Sequence, residues 1–347
     1  VAVGNTPTTT SNTTLVTTIE NGTPVTTVVT PAAPDATNVK PVRKPGRPPK
    51  KKLTDIQVQT FGIVDLPKVP GHIMEVVYEN PTLFKKLFAL YKKYGISEVT
   101  WDFYPDKIEH VAKDFEKKCV IKTEIYGEML VRYYCKEPMS RTVKRDNLDK
   151  VFKSMDKNYP QVSIVLRDED SRSKIYIVVA NNEVDAVFTY DPDLIKEPEQ
   201  QNIQVTSDAN YPVKFELPSK HFKKLISDIH ASGSDIFTLK KEGLEPVSFT
   251  YEAAKKLNLA ATYKNSEKIG LKCTLDPDDI FSVSVLIKHI RPFSDSNIGD
   301  TVHIAADKNG DFSIWSYVDK KKIPRANNQI EEAYVCKVQV FASIFKA

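Results

Sequence analysis

Residues 81–95 read PTLFKKLFALYKKYG. Leu83, Phe84, Leu87, Phe88, Leu90, Tyr91 and Tyr94 recur at helical spacing, which predicts an amphipathic helix with one apolar face. Lys85, Lys86, Lys92 and Lys93 collect on the other face around Ala89. Asn80 suits the N-cap, Pro81 the first helical position and Gly95 the stop. A single lysine-faced helix is ordinarily just a solvated surface.

The pattern recurs. At an offset of 138, Phe222, Lys223, Lys224, Leu225 and Ile226 answer Phe84, Lys85, Lys86, Leu87 and Phe88, and Gly233 answers Gly95. A second helix is predicted over 147–158, with Lys150, Lys153 and Lys157 opposite Leu148, Val151, Phe152 and Met155. The same offset carries Leu148, Lys150, Phe152, Lys153 and Met155 onto Leu286, Lys288, Ile290, Arg291 and Phe293. The chain therefore reads as two copies of a unit with two basic-faced helices.

The charge is unevenly distributed. Residues 1–52 hold seven Lys and Arg against Glu20 and Asp35, a balance of +5, which leaves −1 for the rest of a chain whose total is +4. Lysines gathered on helix faces of a near-neutral body imply acidic surface elsewhere. Length predicts two domains. No apolar run approaches a membrane span. Cys119, Cys135, Cys273 and Cys336 lie far apart without a CxxC pair and read as reduced thiols of an intracellular protein.

Residues 1–40 are rich in Thr, Pro, Val and Asn and carry too little apolar surface to order, so a disordered tail is expected, with the Val-Thr alternation between Leu15 and Val29 interrupted by Pro and Gly. A basic segment follows, with Arg43, Lys44, Gly46, Arg47, Lys50, Lys51 and Lys52. Its Gly-Arg-Pro centre resembles an AT-hook, in which an extended chain lies in a narrow minor groove. Pro45 stands where the usual core has Arg, which bears on base preference more than on DNA affinity. A nuclear-import signal or generic basic tether is the plainer reading.

From 72 to 190 the pattern is strand, helix, several strands, helix, strands. Residues 191–210 are rich in Pro, Glu, Gln and Asp and read as a connector. From 211 to 347 the order repeats, with a hairpin turned at Asn309-Gly310. The fold class is α+β, each unit being two helices on a long antiparallel sheet.

No catalytic constellation emerges. GxSxG, HExxH, P-loop and GxGxxG motifs are all missing from the sequence. His72, His110, His221, His230, His289 and His303 are scattered. Residues 307–311 (DKNGD) place Gly too early for a calcium loop and fit a hairpin turn better. Asp276, Asp278 and Asp279 fit a capped loop better than a metal site. No cofactor or metal is expected.

Duplicated lysine-faced helices on antiparallel sheets, joined by a long acidic and polar connector, resemble the DNA sliding clamp family, the proliferating cell nuclear antigen group. The resemblance covers residues 72–340 and is carried by 83–87, 149–153 and 222–229. With its Gly-Arg-Pro-Pro tail, the chain looks most like the clamp-like proteins of large double-stranded DNA viruses. The resemblance implies two tandem clamp-type domains, 72–190 and 211–347, and a homotrimeric ring of six such domains with helices lining the hole. It implies that duplex DNA is contacted by Lys85, Lys86, Lys92, Lys93, Lys150, Lys153, Lys157, Lys220, Lys223, Lys224, Lys288 and Arg291. Subunits would join through 184–190 and 257–263. DNA polymerase and other partners would dock short peptides at connector residues Leu194, Ile195, Ile203 and Val205. The implied setting is an intracellular site of DNA replication, nuclear or in a cytoplasmic viral factory. Two other readings stay open: a monomeric DNA-binding accessory or chromatin factor held by its basic tail, and a clamp fold used structurally.

Overall fold

The computed structural model describes residues 14–20, 23–29, 71–153, 155, 159, 161–181, 186–195, 203, 211–252, 258–263, 268–276, 280–307, 311–324 and 330–343. Two units are distinct, Val1–Gly62 and Ile63–Ala347. In the first, β1 (Thr14–Glu20) and β2 (Thr23–Val29) pair as an antiparallel hairpin. The Val-Thr alternation thus continues through Pro24, which pairs with Ile19. A lone two-stranded hairpin is marginally stable in water. The AT-hook-like segment lies outside the described residues.

The second unit carries the repeat. Its first half runs β3 (His72–Tyr78), α1 (Thr82–Lys93), β4 (Glu98–Phe103), β5 (Lys107–Lys113), β6 (Cys119–Tyr126), β7 (Arg132–Cys135), β8 (Met139–Lys144), α2 (Arg145–Lys153), β9 (Gln161–Arg167), β10 (Tyr176–Asn181) and β11 (Ala186–Tyr190). Its second half runs β12 (Val213–Pro218), α3 (Ser219–Ala231), β13 (Ile236–Glu242), β14 (Val247–Glu252), β15 (Asn258–Tyr263), β16 (Lys272–Cys273), β17 (Ile280–Leu286), α4 (Ile287–Ser296), β18 (Thr301–Ala306), β19 (Asp311–Pro324) and β20 (Ile330–Ser343).

The α+β class holds, but the strands are not divided one sheet per half. Three antiparallel sheets form: β11-β10-β9-β3-β7, β15-β14-β13-β17, and a nine-stranded sheet β16-β12-β18-β19-β20-β6-β5-β4-β8. The nine-stranded sheet crosses between the halves where β20 pairs with β6, Cys336 opposite Ile125 through Ala342 opposite Cys119. Pattern alone misses this because alternation specifies a strand's buried face but not its neighbour.

The helices follow from their sequences. On α1, Leu83, Phe84, Leu87, Phe88, Leu90 and Tyr91 are buried. Phe84 and Phe88 meet Phe152 of α2 at centroid distances of 5.1 and 5.3 Å and also pack near Trp101. Truncating such a ring to Ala costs about 3–5 kcal/mol. Asn80 Oδ1 accepts from Thr82 N at 3.2 Å, as its position promised. At the other end Gly95 has φ 69°, Ile96 N donates to Tyr91 O and Gly95 N to Lys92 O. That double closure is a Schellman motif. It recurs in α3, where Gly233 has φ 79°, Ser234 N donates to Ile229 O and Gly233 N to His230 O.

The 138-residue offset holds for α1 and α3 and slips at the second helix pair. Lys144 lies opposite Glu98 and Leu286 opposite Ile236, so α2 and α4 correspond at an offset of 142. The expected equivalence of Lys150 and Lys288 is therefore one turn out of step. Four residues is close to a full helical turn, so both still fall on the solvent face.

His110 is fully enclosed; its Nδ1 lies 2.8 Å from Thr100 O, and Nε2 has no partner among the described residues. Burial pushes its pKa from the ordinary 6.5 down to about 4. Its structural counterpart is Phe249, placed by the matching β4–β5 and β13–β14 registers.

Two predictions follow from these contacts. Gly95→Ala and Gly233→Ala each force a methyl into the left-handed region and should cost about 1–2 kcal/mol. Gly95→Ala should cost more, since its Cβ would stand 2.9 Å from Phe115 Cβ; denaturant melts read both. For His110, the lowered folded pKa means that the unfolded chain takes up the proton first on acidification. The associated stability, on the order of 3 kcal/mol, is complete above pH 6.5 and withdrawn as pH falls toward 4. His110→Phe should lower stability at pH 7 by about 1 kcal/mol through the lost bond to Thr100, yet flatten the loss between pH 7 and 5; an equally steep loss would contradict the assignment.

Candidate nucleic-acid interface

The helices form one layer: α1 packs against α2 and α4, and α3 against α4. Tyr94 OH donates to His289 O at 2.9 Å, tying α1 to α4 across the two halves. Their apolar faces enter the shared core, so their polar faces look outward together.

Lys85, Lys86, Lys92, Lys93, Lys150, Lys153, Lys220, Lys223, Lys224, Lys288 and Arg291 are all exposed. Lys157 lies outside the described residues. The four helices carry twelve Lys and Arg against four Asp, a balance of +8. Residues 53–347 total −1, so everything else in that stretch carries −9. One layer is strongly cationic and the remainder acidic.

The cations are not equally available. Among the described residues, Lys85, Lys86, Lys92, Lys150, Lys153, Lys220 and Lys223 pair with no carboxylate; Lys85 Nζ reaches Met155 O at 3.4 Å. Partial burial holds Lys93 below the usual lysine range, with Asp295 opposing and Lys223 adding to the shift, so two lysines from different halves share one field. Lys224 pairs with Asp228 at 2.8 Å and Arg291 with Asp295 at 3.5 Å, each one turn along its own helix. Lys288 is paired with Glu116 of the β5–β6 turn at 2.5 Å, and its hydrogen bond holds that carboxylate below its ordinary pKa. Periodicity could not reveal this, because Glu116 is 172 residues away. Arg145 was not singled out by periodicity; its Nε donates to Ile96 O at 2.7 Å, which gives it a packing role.

The connector begins pinned. Lys174 Nζ meets Asp191 at 2.7 Å, Leu194 N donates to Ser173 O at 2.7 Å and Ile195 N to Thr142 O at 2.8 Å. Leu194 is 7 % exposed and bridges Val143 on the β8 edge. It is a core residue, a correction to its expected place in a docking pocket. Ile195 and Ile203 are half-buried, and Val205 lies outside the described residues.

One surface is new and another lies on the edges expected at 184–190 and 257–263. On the sheet face away from the helices, Val120 stands opposite Phe341, with Val111 on the adjoining strand, all half-buried. Along β5 the outward positions are Lys107, Glu109, Val111 and Lys113, and along β6 Val120, Lys122, Glu124 and Tyr126, so Val111 and Val120 interrupt an otherwise charged end of the face. Near it Phe115 is 84 % exposed. At the sheet ends, β11 and β15 are terminal strands, and Val187 and Phe188 of β11 are 50 % and 38 % exposed. Among the described residues, no group of three or more His, Cys, Asp or Glu is arranged to hold a metal, and no helix is long and apolar enough to cross a membrane.

Residues 73–202 match the family described as proliferating cell nuclear antigen, N-terminal domain. That stretch is sliding-clamp-like in sequence, and the body as a whole is sliding-clamp-like in fold. The chain is 27% identical over 287 residues to an uncharacterized protein of African swine fever virus, Malawi tick isolate, covering 80% of this chain and 94% of that one. The Kenya pig isolate's protein matches to the same extent. The crystal structure of the proliferating cellular nuclear antigen from Entamoeba histolytica superposes with a TM-score of 0.64 at 15% identity, covering 79% of this chain and all of that one. The clamp resemblance read from duplicated helices thus holds, including its viral colouring.

Proposed function

We propose that three copies of this chain close into a ring around duplex DNA and tether a DNA polymerase and other peptide-bearing partners at an intracellular site of replication, nuclear or in a cytoplasmic viral factory. The observation that carries this reading is the concentration of +8 on one helical layer while the rest of the body is −9. Lysines contact phosphate as mobile point charges and read no bases, which suits sliding. In this reading 72–190 and 211–347 are the two clamp domains, 191–210 is the connector, and the chain performs no catalysis of its own. Residues 43–52 of the tail add salt-sensitive DNA affinity. Ile195, Ile203 and Val205, with the Val111, Val120 and Phe341 corner, offer the apolar surface for partner peptides, while Leu194 anchors the connector.

The free strands support closure. An exposed strand edge with apolar side chains invites pairing. The five-stranded sheet ends in β11 and the four-stranded in β15, and the nine-stranded sheet is itself five strands of one half plus four of the other. Joining β11 of one copy to β15 of the next would rebuild that arrangement. The register follows from the repeat. Strand by strand, Cys336 and Val338 correspond to Ala186 and Phe188, while Ile125 and Thr123 correspond to Tyr263 and Ala261. Since Val338 faces Thr123, Phe188 should face Ala261, and Val187 should face Thr262, across the subunit boundary.

With Cys135 and Cys273 changed to Ser, Val187→Cys with Thr262→Cys should therefore give oxidised trimers on a denaturing gel. Val187→Cys with Ala260→Cys should not. Cross-linking by the second pair alone would overturn the register, and a strictly monomeric mass in sedimentation would overturn the ring.

Charge reversal tests the DNA face. Lys85, Lys86, Lys150 and Lys223 changed to Glu alter the charge by −2 each without touching the core. Each should move stability by no more than about 0.5 kcal/mol. Primer extension on a long template should lose its long products, intact tail notwithstanding. A well-folded quadruple variant that still supports long products would contradict the reading.

A further inference from the structure

The two ribbons that correspond in the repeat differ in length. In the first half, β10 and β11 close at Asn181 opposite Ala186. The equivalent pair in the second half is Val318 opposite Cys336, but β19 and β20 run on, from Lys320 opposite Tyr334 to Pro324 opposite Ile330. Past Cys336, among the described residues, the extension's ladder partners are its own two strands, since β6 ends its partnership there. Asp319 marks its root, with φ 51°, a conformation that a non-glycine residue adopts only when its surroundings hold it.

Every described side-chain tie between that root and the first half falls on the β3–α1 corner or the turn after β6. Asp319 accepts hydrogen bonds from Tyr78 OH at 2.6 Å and Asn80 Nδ2 at 2.8 Å. Lys321 pairs with Glu79 at 2.7 Å, donates to Met129 O at 2.7 Å and lies 5.4 Å from the Tyr78 ring centroid. Tyr78 is buried, so its hydroxyl would be left unpaired without Asp319. The halves are also linked by the β20–β6 ladder, by the α1–α4 contact and by the exposed Lys288–Glu116 ion pair. A sheet twists readily about a strand pair, and bonds made off the ladder at a corner oppose that rotation.

We propose that the β19–β20 extension is a strap that fixes the angle between the two halves of the chain. Asp319 and Lys321 are its fastening points, and Tyr78, Glu79, Asn80 and Met129 are its anchor. Among the described residues the first half has no such extension, and the counterpart of Tyr78 is Leu217, which offers no hydroxyl. On the ring reading, the joint within a chain is then stiff and the joint between copies is the compliant one.

The test uses the full chain at a dilution where it is monomeric, so it does not depend on the ring. Spin labels at Ser140→Cys on β8 and Ser282→Cys on β17, both exposed, report the spread of distances between the halves in a Cys135→Ser, Cys273→Ser background. Asp319→Asn with Lys321→Ala should at least double the width of that distribution. Tyr78→Phe, which keeps the buried ring and removes only the hydroxyl, should widen it by a smaller factor. Hydrogen exchange should rise about tenfold or more in the β20–β6 ladder of the double variant and stay unchanged in the β4–β5 ladder. Unchanged widths in both variants, or exchange rising equally throughout, would overturn the strap.

Discussion

The pairing of β20 with β6 is the constraint on which the architecture depends. It joins four strands of the first copy and five of the second into one continuous nine-stranded sheet and brings α1 against α4, so that four helices form a single layer. It also uses one edge from each half and leaves the complementary pair, β11 and β15, at the ends of their sheets. A duplicated unit that joins to itself head to tail always leaves such a pair. It closes if the rotation per unit permits, and extends indefinitely if not. The angle set at the internal joint therefore decides what the free edges can build, and the contacts of Asp319 and Lys321 bear on that angle.

Charge follows the same geometry. Because amphipathic helices put their apolar faces into the shared core, their lysines are left on one side by default. The chain adds to this a near absence of acid on α1, whose twelve residues include four Lys and no Asp or Glu. The exceptions are local: Lys224 and Arg291 find Asp one turn away, and Lys288 finds Glu116 across the joint. Exposed pairs of this kind are weak, and phosphate could compete for them.

Much of the fold was legible because it rests on local rules. The face of α1, its Asn80 and Gly95 boundaries, and β4 at 98–103 follow from periodicity and end chemistry. The repeat supplied α3 and its Gly233 closure. What depended on remote partners was not legible. The slip of offset from 138 to 142 between α2 and α4 is set by strand register, so Lys150 and Lys288 looked equivalent when they are one turn apart. The length of β19 and β20 is not legible because Lys320, Lys321 and Lys322 break the apolar alternation, although Lys320 pairs across the ribbon with Glu332. Leu194 looked like an isolated apolar residue in a polar connector, yet it bridges to Val143 and closes over the β8 edge. Cys135 and Cys273, read as unrelated thiols, stand opposite Met74 and Val213, the same place in each half.

The central claim is topological: the body holds DNA by surrounding it rather than by gripping it. The most direct measurement loads the chain onto a nicked circular duplex, washes at high salt, and then linearises half of the sample. Encirclement predicts that protein stays on the circle through the wash and is lost from the linear form, because salt removes phosphate contacts but cannot open a closed path. Equal loss from circle and line would contradict it.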